Sequence, residues 1–207
     1  MSTRTTVILL VVLFMFGLFL IVALPLLLRR GPVSPAAEEE EPAVLDQGVF
    51  RSDDGGRTWE AKSAIAGGGS VSAFTVNRLL PDPVDPATLY LLTDGNGLWV
   101  SENRGDSWRE VVDERGVLEV RSNVLALALN SGRRSEWYVA VFQANRGRVL
   151  RTVDGGKTFR EIYFTPLERF GVVDLSYDRN RGALAIATGQ GGLLETRDGG
   201  RTWRVIR

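Results

Sequence analysis

Four side-chain constellations in this 207-residue chain could do chemistry. Asp54, Asp154 and Asp198, with Asn103 in the same register, each stand two residues after a hydroxyl (Ser52, Ser101, Thr152, Thr196). Each stands four residues before a second hydroxyl (Thr58, Ser107, Thr158, Thr202). A glycine follows the Asp or Asn by two residues (Gly56, Gly105, Gly156, Gly200), and an aromatic closes each phrase (Trp59, Trp108, Phe159, Trp203). Carboxylates alternating with glycine suggest a calcium loop. Each copy, however, has few carboxylates, the second has Asn103 in the key place, and no Glu follows at the spacing of an EF-hand loop. Turn formation accounts for every shared position. The Asp or Asn accepts from turn amides, the glycine allows positive φ, the hydroxyls close the loop, and the aromatic buries its ring against a neighbouring unit.

Such turns need strands on both sides. The copies start 49, 51 and 44 residues apart, a period in the range of propeller blades. Apolar runs with strand character flank each copy, so each phrase is a hairpin turn. Three units of four strands are predicted. The first has strands at 72–77, 88–93, 97–101 and 107–112, with a proline-rich turn, Pro81 to Pro86, after its inner strand. The second has 124–129, 137–142, 148–152 and 158–163; the third has 172–177, 183–188, 192–196 and 202–206. Small and β-branched residues in the first two strands of each suit the crowded centre of a propeller. Before the first phrase stands a single strand, 48–51, so the first unit is an outer hairpin. An array of three and a half units leaves an edge open. It implies further units in a longer chain, pairing with another copy or partner, or a small distorted ring.

The phrase Ser/Thr-x-Asp/Asn-x-Gly-x-Thr/Ser-Trp/Phe resembles the Asp-box, or BNR repeat, of sialidases, the sortilin ectodomain and the photosystem II assembly and stability factors. The resemblance covers about residues 48–207. It implies an all-β propeller in which the Asp-boxes lie away from the active face and act in folding. It implies a protein-binding or assembly module without catalysis, or alternatively a sialidase-like glycoside hydrolase or carbohydrate-binding protein.

Composition removes several chemistries. Charges balance at 25 against 25, and there is no Cys and no His. This excludes thiol nucleophiles, disulfides, His-based triads and His/Cys zinc sites. The near-neutral domain lacks the basic footprint of a nucleic-acid binder. No cofactor is expected. Ahead of the domain, residues 1–6 form a short tail. Residues 7–28 are 22 apolar residues broken only by Gly17 and Pro25, long enough for a transmembrane signal-anchor. A long signal peptide cleaved near Ala36–Ala37 is the other reading. Basic residues on both flanks leave orientation open, and the resemblance favours an extracytoplasmic domain. Residues 29–47, with Pro32, Pro35, Pro42 and Glu38–Glu41, form an extended spacer.

For a site, the resemblance to sialidases would require an arginine cluster, a Tyr/Glu pair and an Asp. Tyr163, Tyr177, Glu161 and Glu168 are present without an evident pairing, and Arg78–Pro81 reads as part of the inter-strand turn. The stretch 64–70, with Gly67–Gly69, lacks the Lys-Ser/Thr of a phosphate loop, and 113–116 reads as a plain polar connection. The binding reading rests on Arg133, Arg134, Arg146, Arg148 and Arg169, which neighbour Trp137, Phe142, Tyr163, Phe164 and Phe170. Arginine with aromatics is the composition of protein contacts.

Overall fold

Residues 48–206 are described by a computed structural model. The tail 1–6, the expected anchor 7–28 and the spacer 29–47 lie outside the described residues. Within them the chain is all β and forms four units. The first is a two-stranded ladder, β1 (Phe50–Arg51) with β2 (Glu60–Ala61). The second is a four-stranded antiparallel meander of β3 (Thr75–Pro81), β4 (Leu89–Asp94), β5 (Leu98–Ser101) and β6 (Arg109–Glu110). The third has β7 (Asn123–Leu129), β8 (Trp137–Gln143), β9 (Arg146–Thr152) and β10 (Arg160–Phe164). The fourth has β11 (Val172–Asp178), β12 (Ala183–Thr188), β13 (Leu193–Thr196) and β14 (Arg204–Val205). Three full units and an outer half are therefore present, as the repeat spacing requires.

The core lies between units, not within them. Tyr90, Leu92, Val100 and Val111 of the second unit pack against Val124, Trp137, Val139 and Phe159 of the third. Ala126, Ala128, Ala140 and Val149 of the third meet Val172, Leu175, Leu184 and Ile186 of the fourth. Alternation along each strand makes this possible, because both faces of a middle unit are covered. The alanines of β7 and β8 lie at 0–7% exposure where the sheets approach, and larger side chains there would force the units apart.

One expectation changes, and two features lie beyond the expectations. The second unit's inner strand runs Thr75–Pro81, not 72–77, so Arg78–Leu80 belong to a strand. Pro81 fits as its last residue, and the turn is closed behind it by the Asp82 amide donating to the Thr88 carbonyl at 2.9 Å. Each inner strand also carries a register shift, between Val76 and Arg78, Val124 and Ala126, and Val172 and Asp174. The extra residues are Asn77, Leu125 and Val173, evenly spaced, and such bulges sharpen strand twist at the crowded inner edge. The glycine stretch 67–69 is a closed turn. Ala64 bridges Ser70, and Ile65 donates to the Gly69 carbonyl at 3.0 Å.

Candidate functional site

The meanders give the molecule two loop ends. The Asp-boxes join third to fourth strands, and the first-to-second connections (82–88, 130–136, 179–182) share their end. The second-to-third connections and the links between units lie at the opposite end.

At the Asp-box end the four turns repeat one hydrogen-bond scheme. In the third unit Asp154 Oδ1 accepts from the amides of Lys157 and Thr158 at 3.1 and 3.0 Å and from Thr152 Oγ1 at 2.7 Å. Its Oδ2 accepts from Thr158 Oγ1 at 2.6 Å, while Thr152 Oγ1 accepts from the Gly156 amide at 3.1 Å. Asp54 and Asp198 repeat this set. In the second unit Asn103 Oδ1 takes the Ser107 amide at 2.9 Å, and its Nδ2 donates to Ser107 Oγ at 2.9 Å, so one bond reverses direction, while the Asp106 amide donates to the Asn103 backbone carbonyl at 3.2 Å instead of the side chain. The backbone and hydroxyl donors of Thr58, with that of Ser52, hold the Asp54 carboxyl down at about 2. Donors from Thr158 and Thr202 push Asp154 and Asp198 lower still. With every carboxylate oxygen engaged inside its own turn, these groups are structural. No group of three or more acidic side chains suited to a metal ion occurs among the described residues.

The box aromatics do not all behave alike. Trp108 and Phe159 are buried, at 0% and 1% exposure, and Trp203 is half-buried beside Tyr163, ring centroids 5.1 Å apart. Trp59 is 54% exposed, because no unit precedes it among the described residues.

Clefts open at this end between neighbouring units, and two of them hold ionisable side chains of the inter-strand connections. One of about 400 Å³, between the second and third units, is lined by Asp82, Asp85, Tyr90, Glu102, Arg109 and Arg134. Glycoside hydrolysis needs two carboxylates free to face a sugar. Here Asp82 accepts from the amides of Val84 and Asp85 at 2.7 and 3.0 Å, and Asp85 takes the Ala87 amide and Arg134 at 3.0 and 3.1 Å. Glu102 pairs with Arg109 at 2.7 Å. The Tyr90 and Trp137 rings are buried edge to face, so neither offers a flat surface for a sugar. The other cleft, about 260 Å³, lies between the third and fourth units and holds Glu136, 3% exposed. Glu136 accepts from Tyr138 Oη at 2.7 Å, Arg151 Nε at 2.9 Å and Asn130 Nδ2 at 2.9 Å. Burial would raise this carboxyl, but the three donors outweigh burial and hold it below the usual range.

Besides Asp82, three further carboxylates that the sequence does not single out are buried. Glu136 is one. Glu195 is another, gripped by Arg181, Arg197 and Arg204 at 3.3, 2.7 and 2.5 Å. The third is Asp113, in the supposed plain connection. It is 7% exposed and accepts from the amides of Arg115, Val117, Leu118 and, in the next unit, Phe159. Three of those amides lie within five residues of it, but the fourth, and the units that cover it, come from the fold.

The five candidate arginines divide between the two ends. Arg133 and Arg134 lie at the Asp-box end, where Arg134 pairs with Asp85 and Arg133 stands 3.5 Å from Glu136. Arg148, inside β9, is tied across the sheet to Glu161. Arg146 and Arg169 stand at the opposite end, on the hairpin turn Ala144–Asn145 and the loop 165–171. That loop is anchored. Thr165, fully buried, gives its hydroxyl to the Phe170 carbonyl at 2.9 Å and accepts the Gly147 amide at 3.2 Å. The Gly147 amide also reaches the Phe170 carbonyl at 2.9 Å, and the Arg169 amide reaches the Asn145 carbonyl at 3.0 Å. Gly147 is required at this contact, since a Cβ there would lie 2.5 Å from the Val172 nitrogen and 2.7 Å from Gly171 backbone. Phe164 at the end of β10 and Leu167 and Phe170 on the pinned loop project at 51, 58 and 39% exposure, with the Arg146 guanidinium 5.7 Å from the Phe164 ring centre.

The BNR/Asp-box repeat family matches residues 50–61, the first of the four turns. Its three companions share that turn's hydrogen-bond scheme, with the Asn103 reversal noted above. Four turns of Asp-box form thus organise the described residues. The Asp-box chain is similar, at 29% identity over 149 residues, to a xyloglucanase from Paenibacillus sp; the match covers 61% of this chain and 14% of that protein. Among solved structures it resembles the GH74 xyloglucanase of Xanthomonas campestris, with TM-score 0.58 and 21% identity, over 78% of this chain and 27% of that one. It also resembles YCF48 from Cyanidioschyzon merolae, with TM-score 0.49 and 16% identity, over 64% and 37%. The Asp-box chain thus spans only a minor part of each, and what it shares with the GH74 structure is the fold.

Proposed function

We propose that this chain is a membrane-tethered, non-catalytic Asp-box module that binds another protein through the loop end opposite its Asp-boxes. The contact centre is Phe164, Leu167 and Phe170, flanked by Arg146 and Arg169. The observation that carries this is exposed apolar side chains on a loop whose backbone is pinned by buried Thr165. A rigid apolar patch bordered by arginine loses little entropy on binding and suits a protein surface. Residues 7–28 supply the tether, with the domain outside the cytoplasm. The test places a photo-crosslinking residue at Leu167, and at Val153 on the Asp-box end as control, in the full chain in its native membrane. A discrete adduct from position 167, absent from position 153 and lost on Phe170→Asp, is expected. Equal labelling from both positions overturns the assignment.

The second reading, carbohydrate binding or hydrolysis, is favoured by the sequence match to a xyloglucanase. Against it stand the cleft carboxylates, all engaged in turns and ion pairs. Incubation with xyloglucan oligosaccharides separates the two: no cleavage and no binding heat is expected, and turnover abolished by Asp82→Asn would replace the binding proposal.

A further inference from the structure

One contact recurs at all three junctions between units. The Asp-box glycine of each unit lies against the residue three positions past the aromatic of the unit before. A Cβ on Gly105 would stand 3.4 Å from Lys62 Cβ, one on Gly156 3.1 Å from Val111 Cγ1, and one on Gly200 2.5 Å from Ile162 Cβ. Where the box aromatic is tryptophan, its indole N–H donates to the carbonyl of that same residue. Trp108 reaches Lys62 at 2.6 Å, and Trp203 reaches Ile162 at 3.1 Å. At the junction of the third and fourth units, Arg160, one position past its aromatic, also donates to the Gly199 carbonyl in the next box at 2.9 Å.

The two outer faces of the array carry the separated halves of this contact. On the first unit Trp59 is 54% exposed, and a Cβ on Gly56 would meet nothing nearer than that unit's own Trp59 ring at 3.9 Å. On the fourth unit, the residue three positions past Trp203 is Ile206, 48% exposed beside Val205 at 72%. Arg204 occupies the place of Arg160, and Gly55 that of Gly199.

We infer that the fourth unit of one copy docks on the first unit of a second copy, with Ile206 covering Gly56 and the Trp59 ring. The Trp59 indole then donates to the Ile206 carbonyl, and Arg204, whose Nε and Nη2 are held by Glu195, reaches the Gly55 carbonyl through Nη1. The occupant is a second copy because the contact continues, in register, the interface already built three times inside the chain. The association is head-to-tail: the surface that gives differs from the surface that receives. It is separate from the loop end assigned to a protein partner and stands or falls independently of it.

The test is sedimentation of the full chain in detergent over a dilution series. Wild type is expected to self-associate. Trp59→Ala and Ile206→Asp should each weaken association about tenfold or more, as removal of a central interface anchor does. Both side chains are exposed in one copy, so far-UV circular dichroism should match wild type, and Val153→Asp should associate like wild type. An equimolar mixture of Trp59→Ala and Ile206→Asp should recover pairs, since one intact junction forms between an unaltered Ile206 face and an unaltered Trp59 face. A wild-type chain that is monomeric throughout, because residues of the same chain cover both faces, overturns the inference. So does self-association untouched by either variant, as pairing through residues 7–28 alone would give. A mixture no better than either variant points to a symmetric contact and overturns it as well.

Discussion

A carboxylate that accepts four hydrogen bonds inside one turn resists protonation, and three of the four Asp-boxes hold one. Their folded-state values lie below the ordinary ~3.9 of an unfolded aspartate, near 2 for Asp54 and lower for Asp154 and Asp198. The sign follows from linkage: this stability is fully present above about pH 4 and is lost as pH falls through the folded-state values. Thermal unfolding followed from pH 5 to pH 2 should therefore show a midpoint that drops steeply in the lower half of that range. Asn103 indicates how the dependence can be removed. Asp154→Asn keeps the amide acceptor, reverses the hydroxyl bond as Asn103 does with Ser107, and should flatten the acid limb at small cost. Asp154→Ala leaves the Thr158 amide without its acceptor and should lower the midpoint by about 5 °C at neutral pH.

At the scale of the hairpin, two adjacent glycines of one box separate conformational from steric demand. Gly155 and Gly156 both have positive φ, at 76° and 87°. Space around Gly155 is open, whereas a Cβ on Gly156 would enter the Trp137 ring at 2.5 Å. Gly155→Ala should cost about 1 kcal/mol, the left-handed penalty alone. Gly156→Ala should cost about 3 kcal/mol, because the Trp137 ring of its own unit and Val111 of the unit before must also move. Urea denaturation of the two variants measures both. The pinned loop supplies a second element-scale expectation. Thr165→Val removes a buried hydroxyl bonded to Gly147 and Phe170, and should weaken the Leu167 photo-adduct several-fold while leaving the sheets folded. An unchanged adduct would show that the loop needs no such pin.

At the scale of the whole molecule, stability resides in junctions, as in other arrays whose units touch only their neighbours. Asp113 ties the second unit to the third through the Phe159 amide at 3.2 Å. Asp113→Ala strips acceptors from four amides and should destabilise that junction by about 3 kcal/mol. Unfolding should then separate into two transitions, read as non-coincident tryptophan fluorescence and far-UV circular dichroism against urea.

How much of this was legible beforehand follows from where each signal resides. The four turns, their glycines and the three-and-a-half-unit count are local: a hydroxyl, a carboxylate and a glycine within seven residues carry their own hydrogen-bond partners, so the sequence determined them alone. Strand order followed, since short connections leave a meander as the simple path. What the tertiary structure decided depends on groups far apart in the chain. It put Trp108 and Phe159 under a neighbouring unit and left Trp59 open, though all three occupy one place in the motif. It buried Asp113 beside the Phe159 amide of the next unit and Glu136 and Glu195 beside arginines of other strands, and it divided Arg133 and Arg134 from Arg146 and Arg169. Sequence proximity cannot reveal that division, because each antiparallel turn sends the chain to the other end of the sheet.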